Sequence, residues 1–274
     1  AQGGSIECVP PAPPASPAAA APTVAATPAA VEFPEEGGEL VVFAAASLTD
    51  AFNQIKADLE AAHPGLTITY NFAGSQALVT QLTEGAEADL FASANTAQMS
   101  AAIEGDVIAG EPAIFTQNRL AIVAPADNPA GVQSAADLAA DGLKLVLAAP
   151  EVPVGRYSRE SICSMGADSA TYGEGFVDGV AANIVSNEDN VKAVLAKVQL
   201  GEADAGIVYT SDVTADVAED VALIEIPEAV NVIAQYPIAP IAGGDTALAR
   251  AFIAYLLGPD GQATLAEFGF QPKP

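Results

Sequence analysis

Apolar residues recur along most of the chain in two alternating patterns, one typical of strands and one typical of helices. Short apolar runs predict strands at 40–45, 66–72, 88–95, 119–125 and 143–150. Between them, apolar residues spaced three and four apart predict helices that follow Leu48, at 76–84 and 96–104, and two more within "LARAFIAYLLG" and "GQATLAEFGF". This alternation predicts an α/β fold with mostly parallel sheets flanked by helices and joined by right-handed crossovers.

The number of predicted strands and the 274-residue length suit two α/β lobes better than one. In such folds a ligand lies beyond the carboxyl ends of the strands, where loops lead into helix N-termini. The loops that follow the strands are therefore where binding residues are expected.

A proline-rich segment precedes the pattern. Residues 9–34 hold eight of the twenty prolines, mixed with Ala and Thr, a density that no packed element tolerates. We expect residues 1–37 to form a disordered, extended tether of the kind that holds an exported domain away from a membrane or wall.

The charge balance narrows the partners. The chain has 35 Asp and Glu against nine Lys and Arg, a net charge of −26, which argues against nucleic acid and against an anionic membrane surface. A small anion is still allowed, because exposed charges are screened beyond about 10 Å. Neither a run of 18 apolar residues nor a leader segment is found, so the chain is cytosolic or begins after processing, and the tether favours the second.

The two cysteines leave three alternatives open. Cys8 and Cys163 could form a disulfide between the tether and the folded body, or Cys8 could carry a lipid, or both could be free thiols, which we favour. No C-x-x-C motif supports a metal or redox site.

Five places after strands or at helix starts stand out. They are Ser47 with Asp50 in "AAASLTD", Ser75 in "FAGSQ", the turn "VPVGRYS", the helix start "SNEDNVKAV", and Tyr209 in "AGIVYTSD". Ser47 and Ser75 are expected as helix caps, and the first turn after Ser75 lacks an acid, which leaves the positive end of that helix free. Each place has an ordinary explanation in capping or packing. Together they offer backbone N–H groups, two serine hydroxyls and one tyrosine hydroxyl, which are all donors and none of them a cation, a set that suits a fully deprotonated oxyanion.

Catalysis is disfavoured. The single histidine, His63, falls at a predicted helix end, where a surface or C-cap role is expected, and one histidine limits Ser-His-Asp and Cys-His schemes. The motifs G-x-S-x-G, H-E-x-x-H, G-x-G-x-x-G and the P-loop are absent from the sequence. We therefore expect no enzyme and no cofactor.

At these residues the chain resembles a known family. "LVVFAAASLTDAF", "FAGSQALVTQL", "ADLFASAN", "VPVGRYS" and "GEADAGIVYTSD" are similar, in order and spacing, to the periplasmic molybdate-binding proteins of ABC importers. The resemblance covers about residues 39–272. It implies a two-lobed type II solute-binding fold, export to the periplasm or cell surface, a monomer, and delivery of molybdate or tungstate to a membrane permease. It also implies no catalysis and no bound metal cation.

The resemblance also implies lobes and a ligand set. Lobe I would comprise 38–118 and 237–274, and lobe II 119–236, with crossings near 117–120 and 235–238. Ser47 and Ser75 would donate from lobe I, and the Val154 and Val191 N–H groups and the Tyr209 hydroxyl from lobe II. Val154 departs from the Ala usual there and could narrow the pocket, while Arg156 is expected to be a solvated helix residue. Sulfate, thiosulfate, phosphate or an organic anion as cargo, and a scaffold with the same fold, stay as alternatives.

Overall fold

The computed structural model describes residues 6–8, 33–34 and 36–274. Most of the segment expected to form the tether lies outside the described residues. Within the described part, no helix combines the length and the apolar character needed to cross a membrane.

Strands and helices alternate as the pattern predicts. The strands are β1 (Gly38–Ala45), β2 (Leu66–Ala73), β3 (Leu90–Ala92), β4 (Ala113–Pro125), β5 (Leu145–Ala148), β6 (Ile184–Glu188), β7 (Ala205–Tyr209), β8 (Val221–Glu225) and β9 (Ile233–Pro240). The helices are α1 (Thr49–Ala62), α2 (Ser75–Thr83), α3 (Thr96–Glu104), α4 (Pro153–Ala167), α5 (Ser169–Tyr172), α6 (Phe176–Asn183), α7 (Val191–Gln199), α8 (Thr246–Leu257) and α9 (Pro259–Glu267).

The strands pair in the order β2-β1-β3-β9-β4-β7-β5-β6, and β8 also pairs with β4. The β1 strand is parallel to β2 and β3, and β5 is parallel to β6 and β7. The long strand β4 joins these two parallel groups: its first half pairs antiparallel with β9, and its second half pairs antiparallel with β7 and β8. This is the predicted α/β fold with two lobes.

Helix α1 shows how the apolar spacing becomes packing. Its buried residues are Ala51, Phe52, Ile55 and Leu59, and from Phe52 onward they follow at steps of three and four. Phe52 packs its ring against Phe115 and Phe252, with ring centroids 6.0 and 5.7 Å apart. The helix ends at His63, whose N–H bonds the Leu59 carbonyl, so the expected C-cap role of His63 is confirmed.

The expectation of free thiols is wrong. Cys8 and Cys163 form a disulfide between the N-terminal segment and α4, with Cα atoms 5.5 Å apart, within the span that a disulfide bridges. Sequence spacing could not decide this, because the two cysteines are 155 residues apart and only the fold brings them together.

Candidate functional site

The five predicted site residues line one small pocket between the two lobes. The cavity has a volume of about 10 Å³, close to that of a single water-sized sphere. Its twelve lining residues carry no charge: they are Ala45, Ala46, Ser47, Gly74, Ser75, Ala94, Val152, Pro153, Val154, Asn190, Val191 and Tyr209. A larger open groove, of about 460 Å³ and lined in part by Tyr172 and Leu223, contains none of the predicted site residues.

Three helices begin at this pocket. Ser75 is the first residue of α2, Val154 the second of α4 and Val191 the first of α7. None of the three helices has an acidic residue in its first turn. The first N–H groups of a helix lack partners within it, so these three starts direct free donors and partial positive charge toward the pocket.

Local sequence fixes each helix start. Pro153 opens α4, where its missing N–H costs nothing, and the Asn190 side chain caps α7 by accepting from the Ala193 N–H. Two glycines permit close backbone approach: a Cβ at Gly155 would lie 2.0 Å from the Ala149 carbonyl oxygen, and one at Gly74 would lie 2.5 Å from the Asp189 carbonyl oxygen. The residues around "VPVG" and "AGS" thus bring the helix ends together.

The two serines do not cap helices as expected. Ser47 lies inside a short 3-10 helix, Ala46–Leu48, and its Oγ lies 2.9 Å from the Tyr236 hydroxyl. Gly74, not Ser75, is the N-cap of α2, and the Ser75 Oγ accepts from the Ala94 N–H at 3.1 Å. The Ser75 oxygen is therefore occupied as an acceptor, which leaves its hydrogen free to donate into the pocket.

Tyr209 ends β7 and is buried. Its hydroxyl has no hydrogen-bond partner among the described residues, although a buried polar group normally has one. Burial raises the pKa of this hydroxyl well above its usual value, so it keeps its proton. An unpartnered donor at the wall of a pocket indicates a ligand that accepts a hydrogen bond.

Charged side chains lie near the pocket without lining it. The Lys192 Nζ lies 2.6 Å from the Asp50 Oδ2 of the first lobe and 3.6 Å from the Asp212 Oδ1 of the second. Asp212 is fully buried, and burial raises the pKa of its carboxyl to about 6, opposed mainly by the charge of Lys192. Arg156 pairs with Glu160 at 2.8 Å with more than half of its side chain exposed, as expected of a solvated arginine.

Several residues around the site were not predicted from the sequence. Tyr236 and Ala94 contact the two serines, and Lys192 bridges the lobes. Gln76 and Gln98 also cross between lobes, donating to the carbonyls of Asp189 and Glu151 at 2.9 and 3.1 Å. Lys192 could have been noticed, because it follows Val191 directly in a chain with few cations. The other four carry no signal in the sequence.

Residues 40–271 match the family described as bacterial extracellular solute-binding protein. This protein belongs to that family. Among curated solute-binding relatives, the molybdate-binding protein ModA of Mycobacterium tuberculosis is 43% identical over 239 residues, 86% of each chain.

Two solved structures are similar in fold. The periplasmic molybdate-binding protein of Azotobacter vinelandii superposes with a TM-score of 0.70 at 16% identity, covering 86% of this chain and 100% of that one. The sulfate-binding protein SubI of Mycobacterium tuberculosis gives a TM-score of 0.76 at 16% identity, covering 85% of this chain and 86% of that one. At this identity the two structures show that the solute-binding fold is shared, and the likeness does not distinguish between cargoes.

Proposed function

We propose that this solute-binding protein captures molybdate, and tungstate as a close analogue, between its two lobes and delivers it to the permease of an ABC importer. The observation that carries the proposal is the uncharged pocket at which three helix N-termini, two serine hydroxyls and the Tyr209 hydroxyl meet. The ligands would be the hydroxyls of Ser47, Ser75 and Tyr209 and the N–H groups of Val154 and Val191.

The chemistry of this set supports a fully deprotonated oxyanion. All five groups donate, and no carboxylate lines the pocket to accept from a protonated ligand. Neither Asp50 nor Asp189, the carboxylates of the neighbouring segments, lines the pocket, and Asp50 pairs with Lys192 instead.

The relative that is 43% identical supports molybdate over sulfate as the cargo. Val154 is the one departure from the pattern expected of molybdate-binding proteins. Its side chain is 1% exposed and the donor at this position is a backbone N–H, so the change leaves donation intact. We therefore infer that Val154 is tolerated.

The remaining parts of the proposal follow from this role. The protein would act outside the cytoplasm as a monomer, without a catalytic step, a cofactor or a metal cation. We propose lobe I as 38–118 with 237–274 and lobe II as 119–236, with β4 and β9 as the crossing strands about which the lobes close.

Thermal unfolding with and without molybdate, tungstate, sulfate and phosphate, at matched ionic strength, tests the proposal. A ligand at about 1,000 times its Kd stabilises the native state by about 4 kcal/mol, which raises Tm clearly. We expect a shift with molybdate and tungstate only. A Tm shift with sulfate instead would support the same site with sulfate as its cargo. No Tm shift with any of the four anions would refute the role of oxyanion receptor and favour a scaffold.

A further inference from the structure

Tyr236 lies beneath the pocket and contacts two of its residues. It is fully buried on β9, and its hydroxyl lies 2.9 Å from the Ser47 Oγ. Its ring packs edge-on against the ring of Tyr209, with centroids 5.9 Å apart. Tyr236 is absent from the pocket lining, so any effect on a ligand must pass through Ser47 or Tyr209.

Asn118 sets the direction of the hydrogen bond between Tyr236 and Ser47. Its Oδ1 accepts from the backbone N–H of Arg119 at 2.9 Å and from the Thr210 hydroxyl at 3.1 Å. A backbone N–H can only donate, so the amide oxygen must lie on that side. The Nδ2 group therefore faces the other way, 2.7 Å from the Ser211 Oγ and 3.4 Å from the Tyr236 hydroxyl.

An amide NH₂ only donates, so it cannot accept the Tyr236 hydrogen. Among the hydrogen-bond partners of the Tyr236 hydroxyl in the described part of the chain, that leaves the Ser47 Oγ as the acceptor, and the Tyr236 hydrogen points at Ser47. Burial raises the pKa of the Tyr236 hydroxyl, so that hydrogen stays in place. The Ser47 oxygen then accepts from Tyr236, and the Ser47 hydrogen is left for the pocket. Ser75 has the same arrangement with a simpler partner, because its oxygen accepts from the Ala94 N–H.

We propose that Asn118, Tyr236 and Ser47 form a one-way hydrogen-bond relay in which Tyr236 is a positioning residue that turns the Ser47 hydroxyl into an obligate donor to the bound oxyanion. The relay rests on the proposed function of the pocket. The relay gives the site a chemical preference. A ligand that offers only acceptors is favoured, because the Ser47 hydrogen points at the ligand. A ligand that carries a proton is disfavoured, because its hydrogen would face the Ser47 hydrogen. The discriminated class is the protonated tetrahedral oxyanions, such as hydrogen arsenate and hydrogen phosphate.

The test is a double-mutant cycle measured by calorimetry with molybdate and arsenate. Tyr236→Phe removes one oxygen and keeps the ring, and Ser47→Ala removes the relay's last member. Tyr70→Phe is the matched control, since the Tyr70 hydroxyl is also buried but has no hydrogen-bond partner among the described residues. Thermal unfolding without ligand checks that each variant is folded.

We expect Tyr236→Phe to weaken molybdate binding about three- to tenfold, the effect of losing one orienting hydrogen bond, and to narrow the preference for molybdate over arsenate. In the Ser47→Ala background the same change should have no further effect on affinity, and Tyr70→Phe should change neither ligand's affinity. A purely structural role for Tyr236 would lower Tm and leave the preference between the two ligands unchanged.

Two results would overturn the relay. The first is an unchanged molybdate affinity in Tyr236→Phe. The second is a loss of molybdate affinity on Tyr236→Phe that is equally large in the Ser47→Ala background. If Tyr236→Phe does not fold, the hydroxyl proton of Tyr236 in the unaltered protein provides the readout by NMR: it should shift on adding molybdate, and a resonance that does not move would contradict the relay. Failure of the unaltered protein to bind any oxyanion would instead refute the proposed function, and the relay with it.

Discussion

At the residue scale, the surroundings of each hydroxyl in the site leave its hydrogen available to donate to a ligand. The Ser75 oxygen accepts from a backbone N–H and the Tyr209 hydroxyl is buried without a described partner, so both hydrogens are available to a ligand. In water these hydroxyls would exchange freely between donor and acceptor roles. Burial removes that freedom, because an unpaired polar group costs about 1–3 kcal/mol.

Removing these donors should weaken binding. We expect Ser75→Ala and Tyr209→Phe each to lower molybdate affinity by about 1–3 kcal/mol, the effect of a lost hydrogen bond to a charged partner. Calorimetric titration measures it. Thr80→Ala, on the exposed face of α2, serves as the control because the Thr80 hydroxyl bonds only the Gln76 carbonyl of its own helix. Equal affinity in all three variants would place the site elsewhere.

Asp212 predicts a pH dependence of stability. Burial raises the pKa of its carboxyl to about 6, above the value of about 3.9 expected in the unfolded chain. The folded protein therefore binds the proton more tightly, and the stability contributed by protonated Asp212 is present below about pH 4 and lost as pH rises through about 6. Asp212→Asn stays neutral, so we expect it to become progressively more stable than the unaltered protein across this window.

Urea unfolding at several pH values checks this prediction. Besides Lys192 and Asp50, the Tyr209 N–H faces Asp212, donating to its Oδ2 at 3.0 Å. Asp220→Asn is the control, since Asp220 is an exposed carboxylate of the same lobe. A stability difference that does not vary with pH for Asp212→Asn would show that its carboxyl titrates normally.

At the scale of elements, three helices contribute their N-termini and two glycines set how closely the backbones approach. Gly155 lies in the first turn of α4, where a side chain would collide with the end of β5. The geometry of the pocket thus depends on backbone packing as much as on its side chains.

Gly155→Ala tests this dependence. A Cβ here would lie 2.0 Å from the Ala149 carbonyl oxygen and 2.4 Å from that of Ala148, so the start of α4 must move away from β5. We expect a loss of about 1–3 kcal/mol in unfolding free energy, typical of overpacking, together with weaker molybdate binding. Ser164→Ala, at an exposed position later in α4, should change neither quantity. Retained affinity in Gly155→Ala would show that the position of this helix start is not critical.

At the scale of the whole molecule, the two lobes touch across the pocket. Gln76 and Gln98 of the first lobe bond to backbone carbonyls of the second, and Asp50 pairs with Lys192. Such contacts exist only while the lobes are together, so they stabilise the closed arrangement relative to an open one. Each is partly exposed, and its contribution is correspondingly small.

Asp50→Asn removes the negative charge from the ion pair between the lobes, while Lys192 keeps its contact with Asp212. Since the pair is partly exposed, we expect its loss to destabilise the closed state by about 0.3–1 kcal/mol. The consequence would be a roughly two- to fivefold faster release of molybdate. Stopped-flow release measures it. Asp58→Asn makes the same charge change on the exposed part of α1 and controls for net charge. Equal release rates in both variants would mean that the ion pair does not contribute to closure.

Most of the fold followed from apolar spacing, because burying one face of a helix or strand leaves a local signature. Helix α3 has the predicted bounds, 96–104, whereas the strand predicted at 88–95 is only Leu90–Ala92. Strand β4 begins at Ala113, six residues earlier than predicted, because pairing with β9 extends it through the polar residues Thr116, Gln117 and Asn118. Pairing between distant strands leaves no such local pattern.

The sequence by itself determined the α/β class and, through the family resemblance, five of the twelve residues that line the pocket. Only the tertiary structure decided what each of them contacts. The bonds of Ser47 to Tyr236 and of Ser75 to Ala94, the pairing of Cys8 with Cys163, and the position of Lys192 between two carboxylates join residues 19 to 189 positions apart. The physical reason is that apolar periodicity is set by near neighbours along the chain, whereas the direction of a hydrogen bond depends on partners that only folding brings within reach.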